Sequence, residues 1–420
     1  MLIKSLSLKD FKCFEQVDID FGKITLLTGA NSSGKSSLIY ALLGIMQSKY
    51  FPQYFALNGE LINMGGFEDV LRKRHKDEKF NVNINIGGWE YLTTWAKNSE
   101  TEQPHIIEYQ RDEFQAKINK EEKKHIDLWD LESTCNDIME ENPNVKKIGE
   151  QAVLLYRDQE GLRYHLVGEI VQTIEDIVGY DFIHTSYFEE ITLLDPHLFN
   201  YIGSFRLPPE RTYYRKPKSG KVGVNGEGYI DQIIEWEESD SKKYVELIRA
   251  VTEMGLFKTI QANKMKGGRF ELNVQVNENS ELASLTDVGF GISQFLPIIV
   301  ADLQMDEASC LAISQPEIHL HPKIQATLGD YFCKQVNNTD KQYIVETHSE
   351  YLINRMRLLI VKGELKPEDV KLYYMENDGI KTTTYAIELT TDGQIKNAPQ
   401  GFFDTYEMDV MDIALYASAE

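Results

Sequence analysis

Residues 2–8 alternate apolar and polar side chains, with Leu6 and Leu8 following serines, which is the period of a strand with one buried face. Residues 17–21 and 24–28 form two more strand-like runs with a turn at Gly22 between them, so the chain opens as a β-layer. The period then changes. From Ser36 to Met46 the apolar residues Leu38, Ile39, Ala41, Leu42, Ile45 and Met46 recur at helical spacing, which predicts a helix directly after a loop rich in Gly and Ser. Alternation returns between 58 and 95, most clearly in the run FNVNINI. Residues 98–150 are charged, helix-compatible and poor in apolar periodicity, and an insertion boundary is expected near residue 98. The stretch 200–228 is dense in Pro, Gly and basic residues and reads as loops around short strands.

After residue 280 the pattern runs apolar helix, short apolar strand (311–313), helix, short strand (343–345), helix, which is the alternation of a parallel sheet. Both ends of the chain are therefore expected in one α/β core, a mixed β-layer plus a parallel sheet flanked by helices. The expected division is 1–97, an insertion at 98–200 that is mostly helical and serves dimerisation or partner binding, and 201–420.

Composition narrows the setting. With 44 Lys and Arg against 66 Asp and Glu, the 420-residue chain carries a formal charge of −22, which disfavours general adhesion to nucleic acid or anionic lipid. The cysteines Cys13, Cys135, Cys310 and Cys333 lie far apart, without the close pairs of a zinc or redox site, and read as reduced cytoplasmic thiols. No apolar run approaches the roughly 20 residues that cross a bilayer, so neither secretion nor a membrane span is expected.

The sequence Gly29-Ala30-Asn31-Ser32-Ser33-Gly34-Lys35-Ser36 fits G-x-x-x-x-G-K-[ST] between a strand and a helix. Glycines let successive N–H groups turn inward on phosphates, and the helix that follows adds its positive end. Asn31, Ser32, Ser33, Gly34, Lys35, Ser36 and Ser37 are the expected contacts, with Lys35 on the outer phosphates and Ser36 on Mg²⁺. Asp287-Val288-Gly289-Phe290-Gly291-Ile292-Ser293-Gln294 precedes an apolar helix and offers a second anion-binding helix start. Ser314, Gln315 and Glu317 follow an apolar strand, at the end where open parallel sheets bind ligands. His319 and His321 lack a third metal ligand at suitable spacing. Glu346-Thr347-His348-Ser349 repeats the strand-then-polar arrangement, and His348 could donate a hydrogen bond to a terminal phosphate.

In order, GANSSGKS, DVGFGISQ, SQPEIHLHP and VETHSE resemble the Walker A, signature, Walker B with D-loop, and switch-histidine segments of ABC-type ATPases of the RecF and SMC kind. The specific resemblance is to stand-alone prokaryotic ATPases related to the ATPase parts of OLD-family nucleases. LNGELINMGGFEDV, RLPPER, VGVNGEG and QGFFD extend it over most of residues 1–95 and 200–404, while 98–200 carries no recognised feature. The resemblance implies an ABC-type ATPase head, with ATP and Mg²⁺ held between two subunits of a homodimer or higher homo-oligomer. Gly291, Ser293 and Gln294 would reach the γ-phosphate bound by the other subunit, and Gln315, Glu317 and His348 would serve catalysis. Adenine preference rests on the resemblance alone.

The pattern departs at Walker B. Relatives usually carry a carboxylate where this chain has Ser314, and an acid or glutamine where it has Gln315. Ser314 offers the metal only a neutral hydroxyl, Gln315 orients a water without accepting its proton, and Pro316 fixes the direction of Glu317. Slow hydrolysis is the expected result. The tail after residue 404 is too short for the two-metal nuclease domain of relatives, so an effector is expected as a separate protein. Such stand-alone ATPases resemble the sensor and scaffold half of two-component anti-phage systems such as PARIS, which restrains a nuclease or toxin. A DNA-repair or DNA-end-binding ATPase is the alternative, supported by Arg72-Lys73-Arg74-His75-Lys76 and by the basic residues from Arg211 to Lys221 around Tyr213 and Tyr214. A transporter ATPase is disfavoured by the QPEIHLHP form and the large insertion. Phe11 and Phe14, near the base in related folds, are expected to pack in the core.

Overall fold

The opening alternation forms β1 (Ile3–Phe11) and β2 (Phe14–Asp20), and the continuous apolar run that follows forms β3 (Ile24–Gly29). Helix α1 (Lys35–Met46) leaves the Gly/Ser loop as its apolar spacing predicts. The structure, a computed structural model, describes residues 3–48, 51, 52, 54–73, 78–98, 102–111, 114–118, 126–129, 146–148, 153–158, 161–164, 198–215, 220–399 and 402. These divide into two units, one drawn from Met1–Asp20, Ser37–Asp195 and Gly379–Lys381, the other from Phe21–Ser36, Pro196–Asp378 and Thr382–Glu420.

The first unit is an antiparallel sheet in the order β2-β1-β4-β5-β6-β7-β8, with a short helix α2 (Phe67–Val70). Its later strands are β4 (Lys79–Ile86), β5 (Trp89–Lys97), β6 (Pro104–Arg111), β7 (Phe114–Ile118) and β8 (Ile126–Trp129). Phe11 packs edge-on against Phe55 and Phe80, and Phe67 and Trp95 close the cluster. Phe11 and Phe14 are both fully buried, the core role expected of them.

The helical reading of the insertion needs correction wherever 98–200 is described. The segment is β-rich: β6 pairs directly with β5 across residue 98, and β9 (Lys146–Ile148), β10 (Val153–Asp158) and β11 (Gly161–Tyr164) form a small antiparallel sheet. Charge density had masked strand character. In β6 the apolar Ile106 is buried and pairs with Trp95 of β5, while Glu108 and Arg111 further along the strand carry the charge that reads as helix-compatible. Residues 130–145 and 165–197 of the expected helical segment lie outside the described residues.

The second unit carries the sheet β12-β17-β18-β3-β19-β20-β21. Strands β12 (Phe199–Ile202), β17 (Cys310–Ser314), β18 (Gln342–Glu346), β3 and β19 (Val370–Asn377) are mutually parallel; β20 (Thr382–Leu389) and β21 (Ile395–Lys396) add antiparallel pairings. Every residue of β17 and β18 is buried, which is why both read as short apolar runs rather than as alternation. Strands β13 (Tyr213–Tyr214), β14 (Thr259–Lys264), β15 (Arg269–Gln275) and β16 (Ala283–Ser284) pair separately. Helices α3 (Tyr229–Glu238), α4 (Lys242–Glu253), α5 (Phe290–Gln304), α6 (Pro322–Asn338) and α7 (Glu350–Val361) complete this unit, and their apolar residues share its hydrophobic core with the sheet.

One carboxylate sits inside that core. Asp302 is fully buried, and Lys341 Nζ donates to its Oδ1 at 3.3 Å while the Tyr343 hydroxyl donates to the same oxygen at 2.8 Å. The Tyr331 hydroxyl binds its other oxygen, so the buried charge is matched on every side.

Candidate functional site

The parallel sheet brings three chain segments to one edge, because β3, β17 and β18 all end there. Ser314 and Glu346 are register partners at the carboxyl ends of β17 and β18. The phosphate loop leaves β3 next to them.

Two glycines shape that loop. Gly29 has φ +136° and lies so close to the Met375 carbonyl that a Cβ would overlap it, and Gly34 has φ +104°. Ser32 also takes positive φ (61°), a strained state for a residue with a side chain. Asn31 and Ser32 are exposed, Ser33 is buried, and Gly34, Ser36 and Ser37 are partly buried. Lys35 is buried at 3% exposure and donates from Nζ to the carbonyls of Gly29 (3.0 Å) and Ala30 (2.7 Å) and to Ser33 Oγ (3.3 Å). Burial pulls its pKa down and Glu346 partly restores it. The carbonyls and hydroxyl around Nζ occupy the coordination that anionic oxygens would take.

Ser36 Oγ donates to both oxygens of Glu346, at 2.9 and 3.1 Å, and Ser314 Oγ donates to Glu346 Oε2 at 3.0 Å. Tyr201 of β12 reaches Ser314 Oγ at 3.1 Å. Sequence reasoning named Ser36 and Ser314 and missed Glu346. Glu346 ends a wholly buried strand. A lone acid closing a buried strand was the available signal.

Gln315 adopts φ +48°, its amide donates to the Glu346 carbonyl at 2.7 Å, and it continues into a turn. Glu317 on that turn accepts from the His348 amide at 2.6 Å, tying the end of β17 to the segment after β18. Among the described residues its buried Oε2 has no hydrogen-bond partner, and burial raises its pKa, with the His348 amide, the Thr347 hydroxyl and Arg206 offsetting part of the rise. The His348 side chain is exposed; partial burial and then Lys35 lower its pKa, favouring the neutral imidazole. His321 caps α6 by accepting from the Lys323 amide, and His319 packs edge-on against Phe290. Among the described residues no group of three or more His, Cys, Asp or Glu could cage a metal.

Arg206 went unnoticed in the sequence as a site residue. Its guanidinium donates to the carbonyls of Gly203 (3.0 Å), Gln294 (3.3 Å), Ser314 (2.7 Å) and Gln315 (2.9 Å), joining the loop after β12 to α5 and to the end of β17. Burial lowers its pKa to about 10, with Glu317 the nearest compensating charge.

The Gly-rich start of α5 stands differently from expectation. Gly289 and Phe290 are exposed, and Gly291 is partly buried where a Cβ would meet the His319 carbonyl at 2.5 Å. Ser293 is fully buried, its hydroxyl donating to the Phe290 carbonyl at 2.8 Å. Gln294 is buried too, and its amide donates to the Leu207 carbonyl at 3.3 Å. In this arrangement the turn, and not these two side chains, faces outward.

Among the described residues of the two basic clusters, three arginines pair with acids. Arg72 binds Asp10 at 2.9 Å, Arg211 forks onto both oxygens of Asp287 at 3.0 and 2.6 Å, and Arg215 binds Glu238 at 2.7 Å. Residues 74–76 and 216–219 of those clusters lie outside the described residues.

A parallel strand, a glycine-turned loop carrying lysine and serine, a following helix and an adjacent carboxylate define a phosphate-loop nucleotide-binding protein. The sequence matches the AAA ATPase domain family over residues 1–191 and 228–353, more than half of the chain, and belongs to that family. Residues 365–413 match a second family, a protein of unknown function (DUF3696). The chain is 20% identical over 402 residues to the OLD nuclease of Thermus scotoductus, covering 90% of this chain and 65% of that one, just under two thirds of the relative's length. Among solved structures it is similar to an SMC head bound to the C-winged helix domain of ScpA (13% identity, TM-score 0.48, covering 93% of this chain and 98% of that one). It is also similar to the SMC head domain from Thermotoga maritima (13% identity, TM-score 0.43, covering 92% and 100%). Among the described residues no helix is long and apolar enough to cross a membrane.

Proposed function

We propose that the chain is an ATP-dependent switch: it binds ATP with Mg²⁺, pairs with a second copy on doing so, hydrolyses slowly, and holds or releases a separate effector. The observation that carries the nucleotide part is the loop itself, a Gly29–Gly34 cradle with Lys35 drawn inward over its carbonyls. The donor set fits the cofactor: an ammonium for phosphate oxygens, and hydroxyl and carboxylate oxygens for a hard cation. Mg²⁺, when bound, would neutralise charge on the transferring phosphoryl group. Lys35 would exchange its loop carbonyls for phosphate oxygens. His348, kept neutral, would donate its ring N–H to the outer phosphate, and Glu317 would hold that segment against the end of β17.

Slow turnover follows from Gln315, which orients a water without accepting its proton at neutral pH. Glu317 is the remaining candidate base, and it is engaged with the His348 amide. Steady-state phosphate release by the purified protein should fall well below the roughly 10 per second of a median enzyme, and a rate at or above that refutes slow hydrolysis. The anti-phage role rests on the resemblance to stand-alone ATPases of that kind. It predicts co-purification with the product of a neighbouring gene in a nucleotide-dependent manner. The DNA-binding alternative is weakened by the ion pairs of Arg72, Arg211 and Arg215. Tight duplex binding at physiological salt would restore it.

A further inference from the structure

The geometry points to Glu346 as the carboxylate that holds the divalent cation beside Ser36, supplying from β18 what position 314 on β17 lacks. The inference rests on the nucleotide reading above and adds to it the residue that makes nucleotide binding metal-dependent.

Three features support it. Glu346 is 5% exposed, so its charge is largely removed from water and must be met by specific partners. Those partners are the hydroxyls of Ser36 and Ser314, with the Lys35 ammonium near enough to interact. Ser36 follows the phosphate-loop lysine, the position whose hydroxyl ligates the cation in such loops. A hydroxyl that donates its proton to a carboxylate still presents a lone pair, so the oxygens of Ser36 and Glu346 can serve one hard cation together. Mg²⁺ is commonly held by one or two carboxylates plus substrate phosphates rather than by a full protein cage.

The register explains the exchange of position. Ser314 and Glu346 are paired residues on adjacent parallel strands, so moving a carboxylate from one to the other keeps it at the same sheet end. The Ser314 hydroxyl, itself contacted by Tyr201, then becomes a positioning group that aims Glu346 toward Ser36.

The test measures ATP affinity of the full chain by calorimetry, once with Mg²⁺ and once with EDTA. Wild type should bind at least tenfold more tightly with Mg²⁺. Glu346→Gln should lose most of the Mg²⁺ gain, read as the ratio of its own affinities in the two buffers. The double variant Ser314→Asp/Glu346→Gln should recover part of that gain, since the carboxylate returns one strand away. Glu346→Asp keeps the charge but withdraws it by one methylene and should show an intermediate gain. Retention of the full Mg²⁺ gain by Glu346→Gln, or by Glu346→Ser where the glutamine variant does not fold, overturns the assignment. Absence of ATP binding by wild type in both buffers overturns the nucleotide reading beneath it.

Discussion

Arg206 gives the sharpest single-site prediction because its contacts are enumerable. Arg206→Met keeps the apolar stem and removes the guanidinium, so four carbonyls on three segments lose their donor. The bonds to Ser314 and Gln315, at 2.7 and 2.9 Å, are the strong ones. Bonds from a charged donor contribute ~1.5–3 kcal/mol each, or ~3–6 kcal/mol for the pair. Against this stands the burial that takes the guanidinium pKa down to about 10. That burial costs the charged form roughly 3 kcal/mol. Truncation removes both contributions but leaves the carbonyls orphaned at the cost of an unmet buried acceptor, so a net loss of about 2–4 kcal/mol is expected. In urea the midpoint should fall by roughly 1 M, given a slope near 3 kcal/mol per M. Arg206→Lys should recover less than half, because an ammonium on a flexible stem does not span the same fork. Because the guanidinium sets the direction of the β17 exit, ATP affinity should weaken too. A methionine variant with wild-type midpoint and wild-type ATP affinity refutes the clamp.

Three further predictions follow from the same region. Burial raises the Glu317 carboxyl above its ordinary 4.5, so the folded state binds more protons and stability is lost as pH rises through that raised value; Glu317→Gln should gain on wild type as pH climbs from about 4.5, and a difference flat with pH contradicts it. His348 is depressed below 6.5, so its contribution is present above that pH and lost as pH falls; wild type should lose stability relative to His348→Gln in acid melts below 6.5, and parallel curves contradict it. Lys341→Met leaves fully buried Asp302 with tyrosines but no cation and should destabilise by about 3–5 kcal/mol in urea melts, whereas a loss under 1 kcal/mol would show the charge is otherwise met.

The elements around the site were legible because their periods are strong. Strand β3, the glycine loop and α1 follow one another in a few residues, and β17 and β18 are short apolar runs ending in polar residues. The less legible parts depend on partners distant in sequence. Glu346 gains meaning only when β18 is registered against β17, and Arg206 only when three separate carbonyl segments converge on it. The burial of Ser293 and Gln294 was hidden for a related reason. At a helix start their polar side chains suggest an exposed ligand, yet Arg206 and the loop at Leu207 turn that part of α5 inward. The insertion misled in the other direction, since its overall charge suggested helix while the strand at 104–111 carries the apolar pair Ile106 and Ile107 with only Glu108 and Arg111 charged.

The central claim is that the loop from Gly29 to Ser36 encloses the phosphates of ATP, and calorimetric titration of the intact chain with ATP and Mg²⁺ tests it most directly. Saturable binding is predicted for wild type, and at least tenfold weaker binding for a Lys35→Ala variant whose melting temperature stays near wild type. No binding by wild type, or equal affinity in the two proteins, would contradict the account.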